Sequence, residues 1–339
     1  LQGAGSISAV TTALAADLTE ENQRGKAMAT IGGFIAMSFV LAMLIGPVLG
    51  AQWGVDKLFE LTALLAILAS LVLAFFVPKP PVYKNLSTKT TFGSLFENRS
   101  LNLMYLFIFF HGFLLTNMFF ILPLELTRHF GWSTMDAWRL YVPSTILGMI
   151  AMVPAAILSE KRGYFKQVTI IGVALFFIGF TVCAIAVSPL MFCVGGVVFF
   201  IGFNMLEPIL QSAASKYAKA ALRGKALATF TSFQYLGVFI GGILGGFLMH
   251  LIGSTGLLWG LVVVAGIWLI FAIFMTKPPL AGFAFFNLHK IDNTKIVVLE
   301  TTNGILDFYA NEETVTVKFD KKLISQIEVE AILFKTEQQ

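Results

Sequence analysis

The sequence predicts an all-α multispanning membrane protein followed by a small α+β domain. Hydrophobic residues make up 57% of the 339 positions and charged residues only 12%. Apolar runs of about twenty residues, enough to cross a hydrocarbon core, recur along most of the chain. After Pro278, Lys, Glu, Asp and Asn return every few residues and no later run is long enough to span. An ordinary soluble domain is about one-quarter charged, and a single core cannot hide this much apolar surface, so a soluble enzyme or nucleic-acid binder is excluded. The formal charge of +4 fits basic loops on one side of a bilayer.

Nine runs are expected to span, at 1–16, 27–53, 58–77, 103–124, 140–158, 168–187, 190–213, 226–250 and 257–275. Basic residues gather after the odd-numbered runs: Arg24 and Lys26; Lys79, Lys84, Lys89 and Arg99; Lys161, Arg162 and Lys166; Lys216, Lys219, Arg223 and Lys225. The opposite connections hold only Lys57, Arg128 and Arg139. By the positive-inside rule the first group and the C-terminal domain are expected in the cytoplasm. No cleavable signal peptide is expected, because Leu1 already lies in an apolar run without a basic flank. The expected division is 1–77 as a first helical unit, 78–100 as a central loop, 101–276 as a six-helix unit and 281–339 as the cytoplasmic domain. That last domain reads as a strand at 283–288, a helix at 293–302, a turn at Asn303-Gly304, strands at 305–310 and 314–320 and a helix at 324–333. The βαββα order suits a ferredoxin-like sandwich.

Two stretches repeat at a constant offset. Arg24-Gly25-Lys26-Ala27-Met28-Ala29-Thr30 matches Arg223-Gly224-Lys225-Ala226-Leu227-Ala228-Thr229, and the register carries Gly46 onto Gly245 and Gly54 onto Gly253. Parallel duplicated halves of a transporter leave this pattern. Three spans precede the repeat in the later half and none in the earlier, so the expectation is that three spans precede Leu1, giving six plus six.

Six plus six parallel halves with an Arg-Gly-Lys-Ala loop resemble the major facilitator superfamily, of which this chain would hold helices 4–12 of 12. Leu1-Gln2-Gly3-Ala4-Gly5 through Asp17 to Arg24-Gly25 resembles that superfamily's helix 4 motif. Gly33, Gly46-Pro47 and Gly50-Ala51 are similar to the antiporter motif of drug/proton exchangers. Ala156 to Gly163, containing Glu160, Arg162 and Gly163, resembles the second-half copy of its loop 2–3 signature. His111-Gly112-Phe113, the run from Phe199 to Glu207, Ser232 to Gly237, and the tail segments around Glu300, Lys318 and Glu328 resemble the YajR-type group of proton-driven inner-membrane efflux transporters, which carry a ferredoxin-like domain after helix 12. The resemblance implies export of small lipophilic or drug-like molecules in exchange for protons across a bacterial inner membrane. It also implies a gating role for Asp17 and Arg24 through a charge relay, and a conformational seal at Gly33, Gly46, Pro47 and Gly50.

Ionisable groups at membrane depth are costly and few. Glu207, with Asn204 and Gln211 at i−3 and i+4, forms a polar stripe on one helix face. A carboxylate alternately shielded and wetted changes its proton occupancy, as a coupling site requires, although hydrogen bonds to a neighbouring helix would equally account for it. His111, flanked by Phe109, Phe110 and Phe113, is either a proton relay or a structural histidine held by a backbone carbonyl. Asn117 and Gln234 either line a cavity or join helices. No phosphate-binding loop, metal-spaced cluster or nucleophile constellation occurs, and the two cysteines lack framework spacing, so no cofactor is expected. The expected partners are protons, a small-molecule substrate and the bilayer, with the C-terminal domain positioned to dock on cytoplasmic loops. A nutrient uptake carrier and a membrane-anchored sensor signalling through its tail remain as alternatives.

Overall fold

The structure is a computed structural model. It describes residues 11, 14–15, 18–19, 24–77, 93–133, 136, 138–160, 162–219, 222–275, 281–287, 298–299, 301–310 and 314–334. Its helices are α1 (Arg24–Trp53), α2 (Val55–Phe76), α3 (Arg99–Arg128), α4 (Trp138–Glu160), α5 (Phe165–Ala184), α6 (Pro189–Tyr217), α7 (Arg223–Phe274) and α8 (Gln326–Phe334); the strands are β1 (Ala281–Asn287), β2 (Ile305–Ala310) and β3 (Thr314–Asp320).

Local chemistry sets the helix ends. Asn98 caps α3 by accepting from the amides of Ser100 and Leu101, and Ser188 caps α6 by accepting from Met191 with Pro189 in the first turn. At the end of α4, Gly163 takes φ +71° and the Tyr164 amide reaches back to the Leu158 carbonyl, a glycine-closed helix terminus.

Six of the described helices, α2 to α7, are long and apolar enough to cross a membrane. The two last expected spans are two helices that follow one another in α7 and meet at Gly253, where the backbone leaves the helical region with φ 71° and ψ −177°. At 1.5 Å per residue the stretches before and after Gly253 are roughly 45 and 31 Å long, each enough for one crossing. The expected first span, 1–16, falls mostly outside the described residues. The internal repeat is visible in the backbone: α1 and α7 both start at the Arg of Arg-Gly-Lys, and Gly54, like its counterpart Gly253, has positive φ, at 84°.

In the second half, α3 packs on α7 and α6, α4 on α6, and α5 on both α6 and α7, while α1 lies against α4 and α6. Aromatic rings fill the centre: Phe107, Phe176, Phe180, Phe199 and Trp268 are fully buried. The α3–α7 contact is backbone-close because α7 presents Gly237, Gly241 and Gly245 at four-residue spacing. A Cβ at Gly241 would lie 2.7 Å from the Phe113 carbonyl oxygen, and one at Gly237 or Gly245 would overlap the Phe109 carbonyl or the Asn117 side chain. By contrast, α2 packs on α1 and is exposed along its length apart from Leu58.

The tail is a three-stranded antiparallel sheet in the order β1-β3-β2 with α8 packed on β1. Val315, Val317 and Phe319 alternate into its own core with Ala284, Phe286, Phe308, Val329 and Leu333. The arrangement fits a ferredoxin-like domain. Strands β2 and β3 occupy the expected segments, β1 begins two residues earlier than expected, and most of the helix expected at 293–302 lies outside the described residues.

Candidate transport site

Three helices bring His111, Glu207 and Gln234 together. His111 Nδ1 on α3 lies 3.3 Å from Glu207 Oε2 on α6, an ion-pair distance out of line for a hydrogen bond. Gln234 on α7 donates from Nε2 to both carboxylate oxygens at 3.3 and 3.5 Å. The imidazole stacks on Phe203, one turn before Glu207, at 4.5 Å, and Nε2 sits 3.4 Å from the Phe203 carbonyl oxygen. Phe176 and Trp268 close its remaining sides. Gly112 lets the helices meet here, since a Cβ on it would come within 2.5 Å of the Gln234 carbonyl oxygen.

The chemistry follows from the surroundings of the two ring nitrogens. One faces the Phe203 carbonyl and the other the Glu207 carboxylate, both acceptors. A neutral imidazole donating from Nε2 to the Phe203 carbonyl leaves Nδ1 without a hydrogen bond beside the carboxylate, where a second ring proton would complete an ion pair. His111 is fully buried, whereas the Glu207 side chain is 32% exposed, so the carboxylate is the open side of the pair.

The other polar candidates do different things. Asn204 turns away from this cluster: it donates to the Phe200 carbonyl at 2.8 Å, and its amide fills the space a Cβ at Gly148 of α4 would need. Gln211 is half-buried one turn beyond Glu207. Asn117 is buried between α3 and α7, donating to the Phe113 carbonyl at 2.9 Å and the Gly241 carbonyl at 3.1 Å. The stripe expected on α6 therefore divides between neighbours, and Gln234 replaces Asn204 beside the carboxylate.

Known proteins share this architecture. A family model, Major Facilitator Superfamily, matches residues 1–172 and 149–284. The inner membrane transport protein YajR of Escherichia coli K12 is 32% identical over 97% of this chain and 75% of its own length. The chain belongs to the major facilitator superfamily. An uncharacterized transporter of Buchnera aphidicola subsp. Acyrthosiphon pisum is 32% identical over 71% of this chain and 63% of its own length. Among solved structures, the human organic anion transporter MFSD10 (TETRAN) aligns with a TM-score of 0.65 at 18% identity, covering 78% of this chain and 67% of that one, a likeness of fold. As a superfamily member with apolar spanning helices, the protein is a multi-pass membrane transporter and not an enzyme.

The residues expected to gate are less fully described. Asp17 lies outside the described residues. Arg24 opens α1, Pro47 lies within it, and Glu160 closes α4. A Cβ on Gly33 or Gly46 would meet no described atom within 4 Å, while at Gly50 a Cβ would meet Leu58 of α2 at 3.4 Å. Arg162 is exposed in the turn that Gly163 closes.

Sequence reasoning missed three features: the Gly237, Gly241, Gly245 stripe, legible as a four-residue repeat; the nearly buried Glu125, paired with the exposed His129 at 2.7 Å at the far end of α3; and Lys318 of the tail, which reaches the Lys216 carbonyl at the end of α6.

Proposed function

We propose that this protein is a proton-coupled exporter of small lipophilic or drug-like molecules. It works by alternating access between two six-helix bundles in a bacterial inner membrane, with the tail in the cytoplasm. The observation that carries this reading is the His111–Glu207–Gln234 cluster: a buried imidazole 3.3 Å from a partly exposed carboxylate that also accepts from Gln234, on three helices of one bundle. A change of conformation that alters the exposure of Glu207 would change the carboxylate's hydration and so favour release or uptake of a proton, which is the step an antiporter must link to substrate. The named relatives being transporters, one of them of an inner membrane, supports the setting. Arg24 and Asp17 would latch one end of the cycle, with Glu160, Arg162 and Gly163 in the second-half loop. Gly33, Gly46, Pro47 and Gly50 would seal α1 against its partners and limit leak during the cycle.

The test is full-length protein in proteoliposomes loaded with a fluorescent lipophilic cation. Export coupled to protons predicts that imposing a pH gradient drives the probe opposite to proton flow. Probe movement in the same direction as protons would identify an uptake carrier, and no gradient-driven movement would refute proton coupling.

A further inference from the structure

The tail sheet has two faces, and only one covers the tail's own core. Val315, Val317 and Phe319 of β3 point into that core. Alternation puts Thr316 and Lys318 on the opposite face, with Tyr309 of β2 directly across from Thr316. On a free ferredoxin-like sheet that face is open to water. Here Thr316 is 6% exposed, Lys318 4% and Tyr309 7%. A lysine buried to this degree on an outward face needs both a cover and an acceptor. The Lys318 ammonium donates to the main-chain carbonyl of Lys216, in the last turn of α6. The next carbonyl, of Tyr217, accepts from the Asn98 side chain at 3.1 Å. Carbonyls of the last helical turn lack intrahelical donors and attract cations, so both contacts are favourable.

The segment so held is mechanically distinct. Pro208 follows Glu207 directly and removes a backbone donor from the helix interior, which weakens α6 at that point. Residues 209–217 lie beyond the weak point, anchored at their far end by Asn98 of the transport half and Lys318 of the tail.

We propose that the open face of the tail sheet is an intramolecular docking surface for the last turn of α6. Lys318 is its anchor, and through it the tail sets the tilt of the 209–217 segment, and hence how freely Glu207 is reached from that end. The docking stands on the contacts alone; the consequence for Glu207 rests on the proton-coupling reading.

The test is hydrogen exchange by mass spectrometry on the full-length protein in nanodiscs, comparing wild type with Lys318→Met, Lys318→Arg and Thr316→Trp. Met keeps the apolar stem but removes the donor, Arg keeps a cation, and Trp wedges the docked face without entering the tail core. Lys318→Met and Thr316→Trp are expected to speed exchange across 209–219 by about tenfold or more, as expected for loss of a charged hydrogen bond, with 281–287 still protected and Lys318→Arg near wild type. Wild-type protection of 209–219 in both Lys318→Met and Thr316→Trp would overturn the proposal. Since exchange is read rather than transport, that result is separable from a failure of proton coupling. Faster proton-driven transport in Lys318→Met than in wild type, or slower, is the expected functional consequence; an unchanged rate and pH profile would overturn the control of Glu207.

Discussion

Replacing Gly241 by Ala tests the close α3–α7 contact on which the cluster depends. A Cβ at Gly241 would sit 2.7 Å from the Phe113 carbonyl oxygen and 3.1 Å from Phe113 Cα and Asn117 Nδ2, so its obstacle is mainly α3 backbone that cannot rotate aside. Restoring ordinary contact requires the helices to part by about 0.7 Å at this level, beyond the distance at which dispersion contacts begin to be lost. The separation also stretches the 3.1 Å bond from Asn117 to the Gly241 carbonyl. Overpacking of this kind costs about 1–3 kcal/mol. Gly246 of the same helix is the control, because a Cβ there meets nothing within 4 Å. Alanine's intrinsic helix preference over glycine applies to both substitutions and cancels in the comparison. Equilibrium unfolding in mixed micelles should find Gly241→Ala less stable than Gly246→Ala by about 1–3 kcal/mol. Equal stability of the two variants would refute the backbone-close packing, and with it the reason that Gln234 on α7 reaches Glu207.

Other outcomes follow from the same contacts. Asn117→Ala removes the side-chain bond across α3 and α7 and should cost about 0.6–1.7 kcal/mol in the same unfolding assay, as interhelical hydrogen bonds in membranes do. In the tail, the Ser325 amide and hydroxyl both donate to the Glu328 carboxylate, a capping box that holds Glu328 below the usual carboxylate range. The charged form is therefore the one favoured by folding. Its contribution is complete above the unfolded carboxylate value and lost as pH falls through the lower folded value. Hydrogen exchange at 326–334, corrected for intrinsic rates, should accelerate as pH drops through that window in wild type and stay flat in Glu328→Gln. Gly163→Ala, forced into a left-handed backbone, should fray the end of α4 and lower the unfolding midpoint, with a penalty on the order of 1–2 kcal/mol.

Hydropathy made the spans legible because crossing a bilayer demands only length and apolarity, and the tail strands were legible because Val315, Val317 and Phe319 alternate with polar residues. The last two spans and the break between them were legible as well, and the alignment of Gly253 with Gly54 marked both backbone turns. Glu207 and His111 stood out because ionisable groups at membrane depth are rare. Their nearness was not legible: it depends on Gly112 and the α7 glycines bringing three helices together. Helical spacing put Asn204 and Glu207 on one face, but the side chains follow the neighbours that have room. Gly148 accommodates the Asn204 amide on α4, while Glu207 extends to His111 and Gln234. The burial of Lys318 was not legible, because the carbonyl that accepts from it lies at the end of α6, far away in sequence.

Proton coupling is proposed to run through Glu207, beside His111 and Gln234. It is tested most directly by Glu207→Gln in full-length protein reconstituted in proteoliposomes, with two readouts on one preparation. One is movement of a fluorescent lipophilic cation driven by an imposed pH gradient; the other is its exchange across the membrane without a gradient. Glutamine keeps the size and the hydrogen-bonding edge but cannot carry the proton. The account predicts that gradient-driven transport is lost while exchange persists. Gradient-driven transport at the wild-type rate in Glu207→Gln would contradict it.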